Sequence, residues 1–161
     1  MSEASVEHAA LNSSDLVATA RRHGGYVWLE DRISQLFGVR AHAGGDSSFV
    51  RWAGEVAGIH RWHAQMWTDR LPQLRELPIG DLIADQSYLA TLLDTAQSIE
   101  QLDALHQLYW TQILDALNAL YTEELGLLGA VDSPMSRRWI DLVLHSIELQ
   151  RSHAENLSSR A

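Results

Sequence analysis

The chain has 161 residues, 46% of them hydrophobic, with three prolines, no cysteine and a formal net charge of -9. That length can bury a core of its own as one domain. The lack of cysteine excludes disulfides and thiolate chemistry, and the acidic balance argues against nucleic acid as a partner. No apolar run approaches the roughly 18 residues of a membrane span, and no basic-then-apolar leader opens the chain. The expectation is a soluble cytoplasmic protein with no membrane partner.

Residues 1–13 are small and polar and read as a loosely ordered N-terminal tail; residues 14–158 read as one helical-bundle domain. Ser13 or Ser14 is the expected cap of the first helix, with Asp15 in its first turn. The stripe that follows is Leu16, Ala20, His23, Val27, Glu30, Ile33 and Phe37, at spacings of three and four. Gly24-Gly25 interrupts the helix without shifting its phase, which predicts one long helix, kinked or closely approached at that point. Glu30 lies near the centre of the apolar face, an unusual place for a carboxylate.

His42-Ala43-Gly44-Gly45-Asp46 reads as a turn, and Asp46, Ser47 or Ser48 as the cap of a second helix running to Arg70-Leu71. There Trp52, Val56, Ile59, His63 and Met66 share one face, with His60 and Trp67 on its flanks. Two imidazoles one turn apart, among Trp52, Trp62 and Trp67, are either core histidines bonded to neighbouring carboxylates or carbonyls, or metal ligands inside a bundle. His23 reads as a core or boundary histidine.

Residues 72–80 read as a loop. A short amphipathic helix over 81–97 carries Leu82, Ile83, Leu89, Leu92 and Leu93, more than a connector needs, so it should cover the bundle or meet a homodimer partner. Ser98 followed by Gln101 reads as a capping box. The stripe of the next helix is Leu102, His106, Tyr109, Ile113, Leu117, Leu120, Glu124 and Leu127. Ser133-Pro134 opens the last helix, with Trp139, Val143, Ile147, Gln150, Ala154 and Leu157 on its apolar side. Its outer face, with Asp141, Glu148 and Glu155, is too acidic for a hydrophobic dimer seam. Four main helices plus a short one in the middle connection make an all-α four-helix bundle.

Heights along the bundle test whether the polar core residues can meet. Glu30 lies about twelve residues before the first turn and His60 about thirteen after it, so at about 1.5 Å per residue they share a level in an antiparallel hairpin. Tyr109, Gln112 and Ile113 fall near that level on the third helix if the long connection carries the chain back along the bundle. His106 is then one turn away. Glu124 joins only if that helix runs the other way.

Tyr26-Val27-Trp28-Leu29-Glu30, His60-Arg61-Trp62-His63 and Trp67-Thr68-Asp69-Arg70-Leu71-Pro72 resemble a small branch of the ferritin-like superfamily. Its di-iron members place a Glu on one helix and a Glu-x-x-His pair on the next. The resemblance implies that Glu30 is the first-helix ligand and His63 the histidine of the pair. His60 stands where the pair's glutamate belongs. In the last helix Glu148 follows His145 in the reverse of the family order, and both read as surface residues, so half the ligand set is absent.

The leading expectation is a ferritin-like non-haem metal protein, an oxidase or oxygenase acting on a small organic molecule. Its candidate catalytic residues are Glu30, His63 and Tyr109, and its candidate metal set is Glu30, His60, His63, His106 and Glu124. A carboxylate with two neutral imidazoles suits iron or manganese. One alternative is a metal-free bundle that binds or rearranges a small molecule, with Glu30 and His63 as an acid–base pair. Another is a structural or dimerisation module whose polar cluster serves specificity alone.

Overall fold

The computed structural model describes the backbone of residues 3–72, 77–84, 87–128 and 134–158, and the side chains of 16–72, 77–84, 89–128 and 134–152. Within them the chain is all-α: α1 (Glu3–His42), α2 (Ser47–Thr68), α3 (Ile79–Leu82), α4 (Ser87–Ser98), α5 (Leu102–Leu108), a π-helical turn (Tyr109–Ile113), α6 (Leu114–Leu127) and α7 (Pro134–Ser158). There is no strand among the described residues, and none of their helices is long and apolar enough to cross a membrane. The chain divides into two compact units, residues 1–93 and 94–161, the division falling inside α4.

In the first unit α1 starts at Glu3, so Ser13 and Ser14 lie inside the helix and not at its start. Ala4, Ala9, Ala10 and Leu11 are strong helix formers and carry the helix through the segment expected as a tail. α1 and α2 form an antiparallel hairpin. Between them Gly44 (φ 81°) and Gly45 (φ 124°) adopt left-handed backbone that favours glycine. The Asp46 carboxylate caps α2, accepting from the backbone N–H groups of Ser48 (2.9 Å) and Phe49 (3.1 Å). The Ser48 hydroxyl and these two N–H groups hold the Asp46 carboxyl below its ordinary value.

From the turn outward the hairpin core is layered. Phe37 meets Trp52 edge-on, ring centres 5.2 Å apart, with Phe49 beside it. One layer on, the Ser34 hydroxyl donates to the Ala57 carbonyl at 2.9 Å, satisfying a buried polar atom. Glu30 then faces His60 and His63. Beyond them Trp67 packs against His23 and Tyr26, each ring centre 5.0 Å away. Leu29 and Ile33, on either side of Glu30 in α1, are fully buried, as is Ala53 in α2. Each large aliphatic so placed contributes about 1.5–3 kcal/mol.

Gly24 is a site of close approach. A Cβ on it would stand 2.0 Å from the Leu82 carbonyl oxygen, so α3 packs on α1 where only glycine fits. The helix expected over 81–97 is accordingly two: α3 ends at Leu82, whose side chain is fully buried, and Ile83 is extended (φ −80°, ψ 103°) before α4 begins. With the Leu82 carbonyl seated on Gly24, the chain has to turn away there. α4 buries Leu89, Leu93 and Ala96.

In the second unit the expected capping box does not form. Ser98 is the last residue of α4, and its hydroxyl donates back to the Thr95 carbonyl at 2.7 Å. α5 starts at Leu102 with Gln101 as an N-cap that makes no side-chain bond. α5 and α6 are continuous through the π turn, where the Leu114 N–H reaches five residues back to the Tyr109 carbonyl. The residue so inserted shifts the phase. Leu105, Leu108, Tyr109, Ile113, Leu114, Leu117, Tyr121 and Glu124 are buried, while His106 and Leu120 are only half-buried and Leu127 is exposed.

α6 and α7 pack together, with an Arg151–Asp115 ion pair on their exposed side. Pro134 opens α7, as its missing N–H allows. Ser136, Ile140, Val143, Ile147 and Gln150 are its buried line, and Trp139 is half-buried. Asp141, His145 and Glu148 are exposed, as expected. Ser133 and the side chains of Ala154, Glu155 and Leu157 lie outside the described residues.

Candidate metal centre

The hairpin brings Glu30 from α1 and His60 and His63 from α2 to one level, and all three are 0% exposed. Both histidines turn Nδ1 toward the same carboxylate oxygen: His60 Nδ1 lies 2.5 Å and His63 Nδ1 3.3 Å from Glu30 Oε2. A carboxylate only accepts, so each ring nitrogen bonded to it carries the hydrogen. Burial pushes the Glu30 carboxyl up. The imidazoles of His63 and His60 oppose this through charge and hydrogen bonds, and they win, holding the carboxyl well below the ordinary carboxylate range.

The three residues each offer one ligand atom, all within 4.8 Å of one another, and among the described residues they are the group that could hold a metal ion. Two imidazoles and a carboxylate are the donor types that iron, manganese and zinc accept. Two ligands about 2.1 Å from one tetrahedral ion stand about 3.4 Å apart. The His63–Glu30 separation of 3.3 Å fits that spacing. The His60–Glu30 contact of 2.5 Å is too short for it and has to open for an ion to enter. His63 Nε2 is buried without a hydrogen-bond partner, a donor or acceptor left unused inside the core. The residues therefore fit a metal ion.

Of the tryptophans expected around His63, Trp62 is the one in ring contact with it, at 5.3 Å, and it is 51% exposed. Trp52 packs on Phe37 and Phe49, and Trp67 on His23 and Tyr26. The expected wall of three indoles is thus one.

The remaining candidates belong to the second unit, and the group of three donors includes neither His106 nor Glu124. His106 Nε2 accepts from Trp110 Nε1 at 2.7 Å, and partial burial lowers its pKa against the opposing pull of Asp103. That nitrogen's lone pair is already engaged. Glu124 is buried at 2% exposure, while Glu123 beside it is exposed. Tyr109 is fully buried, and its hydroxyl donates to Gln150 Oε1 at 2.5 Å; Gln112 is exposed. The spacing of residues predicts neither the Tyr109–Gln150 bond nor the π turn. Both alternative phases of this segment are apolar, with Leu105, Leu108, Leu114 and Tyr121 available as well as Ile113 and Leu117, so a single 3.6-residue period fits without an inserted residue.

Comparison with family models, with curated proteins and with solved structures finds no match to this chain.

Proposed function

We propose that this chain is a cytoplasmic non-haem metal protein of the ferritin-like kind, a four-helix bundle holding one divalent ion, iron or manganese, at Glu30, His60 and His63. The reaction proposed is an oxidation or oxygenation of a small organic molecule. The observation that carries the reading is the burial of three mutually close metal-type donors at one level of the α1–α2 hairpin. Iron(II) in such a donor set supplies dioxygen chemistry at its open positions. The protein's own part is to keep the carboxylate ionised, to fix both rings through one oxygen and to exclude water from all three. One ion is proposed rather than two, because His145 and Glu148, which would stand for the second pair, are exposed.

Elemental analysis of protein purified without a metal-binding tag, and again after anaerobic Fe(II) loading, tests this. Near-stoichiometric iron or manganese in the parent, lost in a folded Glu30→Ala variant, is the expected result. A parent that takes up no metal after loading refutes it. The short His60–Glu30 bond favours a second reading, a metal-free Glu–His network that is either an acid–base pair or purely structural. Metal-free protein that binds no small molecule leaves the structural form of that reading standing.

A further inference from the structure

We infer that the ligand this centre takes beside its metal is a small anion; the inference rests on the function proposed above. The charge count carries it. A divalent ion brings two positive charges, Glu30 cancels one, and the neutral imidazoles of His60 and His63 cancel none. One positive charge is left in a place where every donor is 0% exposed. A charge cut off from water is unfavourable unless a counter-charge lies beside it. Among the described residues no second carboxylate belongs to the donor group. The protein leaves that counter-charge to the ligand.

The polar count agrees. His63 Nε2 is buried and unpartnered. If the ion takes His63 Nδ1, the ring hydrogen moves to Nε2, where no protein group receives it, and an anion supplies the acceptor. If the ion takes Nε2, that atom is satisfied but the residual charge remains. Either way the ligand is negative. It is also small, since it enters a group that side chains already enclose: a carboxylate of formate size, azide or hydroxide fits, and a bulky neutral molecule does not.

The test uses cobalt(II)-loaded full-length protein, whose visible bands report the ion's surroundings. Sodium azide and sodium formate are titrated at constant ionic strength set with sodium perchlorate, with formamide as the neutral match to formate. The expected result is a saturable band shift with azide and formate, and a formamide affinity lower by at least about tenfold. An azide affinity that falls as the pH rises identifies hydroxide from water as the resting anion. One that does not change leaves the place to an external anion. Both support the inference. Bands unmoved by either anion, or moved equally by formamide, overturn it while leaving the metal reading intact. Cobalt(II) lost on dialysis overturns the metal reading and the anion with it.

Discussion

Replacing His60 by leucine should cost more than its lost hydrogen bond. Glu30 is fully buried and shares one oxygen with His60 at 2.5 Å and His63 at 3.3 Å. Without His60 the carboxylate loses the shorter of these two bonds and the charge beside it, so the penalty is that of an incompletely compensated buried charge, about 3–5 kcal/mol. His63→Leu removes the weaker contact and should cost about 1.5–3 kcal/mol, the range of a hydrogen bond to a charged group. Glu30→Gln should cost about 1–3 kcal/mol on the same scale. The decisive measurement is the double variant Glu30→Gln with His60→Leu, since once the charge is gone the missing imidazole matters less. The double variant should be more stable than the sum of the singles by about 1–3 kcal/mol. Urea unfolding at pH 7 with a metal chelator present, followed by circular dichroism and tryptophan fluorescence, reads the four proteins of this cycle and His63→Leu beside them. Additivity within about 0.5 kcal/mol would show that Glu30 and His60 do not act on each other, and the account of the polar layer would fail.

The pH dependence follows from the same carboxylate. Its folded pKa is depressed, so its stabilisation is complete above the ordinary carboxylate value of 4.5 and is lost as the pH falls toward the lower folded value. Thermal melts of the metal-free protein should therefore show the parent losing stability below about pH 4.5 more steeply than Glu30→Gln, and parallel acid limbs would count against this. Gly24→Ala gains about 1 kcal/mol of helix propensity, but its Cβ would fall 2.0 Å from a backbone oxygen that cannot rotate away. The net effect should be a loss of about 1–3 kcal/mol or more, and a more stable variant in urea would disprove the close approach of Leu82. Tyr109→Phe removes the hydroxyl bonded to buried Gln150 and should cost about 1–3 kcal/mol. Adding Gln150→Leu should recover part of that loss in the same unfolding assay; a further drop would mean that the amide has other work in the core.

Much of the first unit was legible in the chain order. Periodicity placed Glu30 and His63 on inward faces and His60 on a flank, where packing buries it fully while Ile59 is only half-buried; the Gly44-Gly45-Asp46 turn set the antiparallel register, and counting residues from that turn put the three at one height. Those inferences hold because a short turn and a fixed rise per residue leave a hairpin almost no freedom. Gly24-Gly25, read as a kink or a close approach, is a close approach, since the phase of α1 continues through it. Local pattern failed where two local arrangements were nearly equal in energy. Ser98 could cap a new helix or close the old one, and the competition between hydroxyl partners went to the Thr95 carbonyl. The apolar surplus between Leu102 and Leu127 accommodates either a uniform α-helix or one with a π turn, and packing chose the second, turning His106 partly outward and Tyr121 in. The atoms that meet at the centre were also beyond the sequence. That His60 and His63 should share one oxygen of Glu30 through Nδ1, leaving His63 Nε2 without a partner, depends on side-chain rotation inside a closed core, which residue spacing does not record.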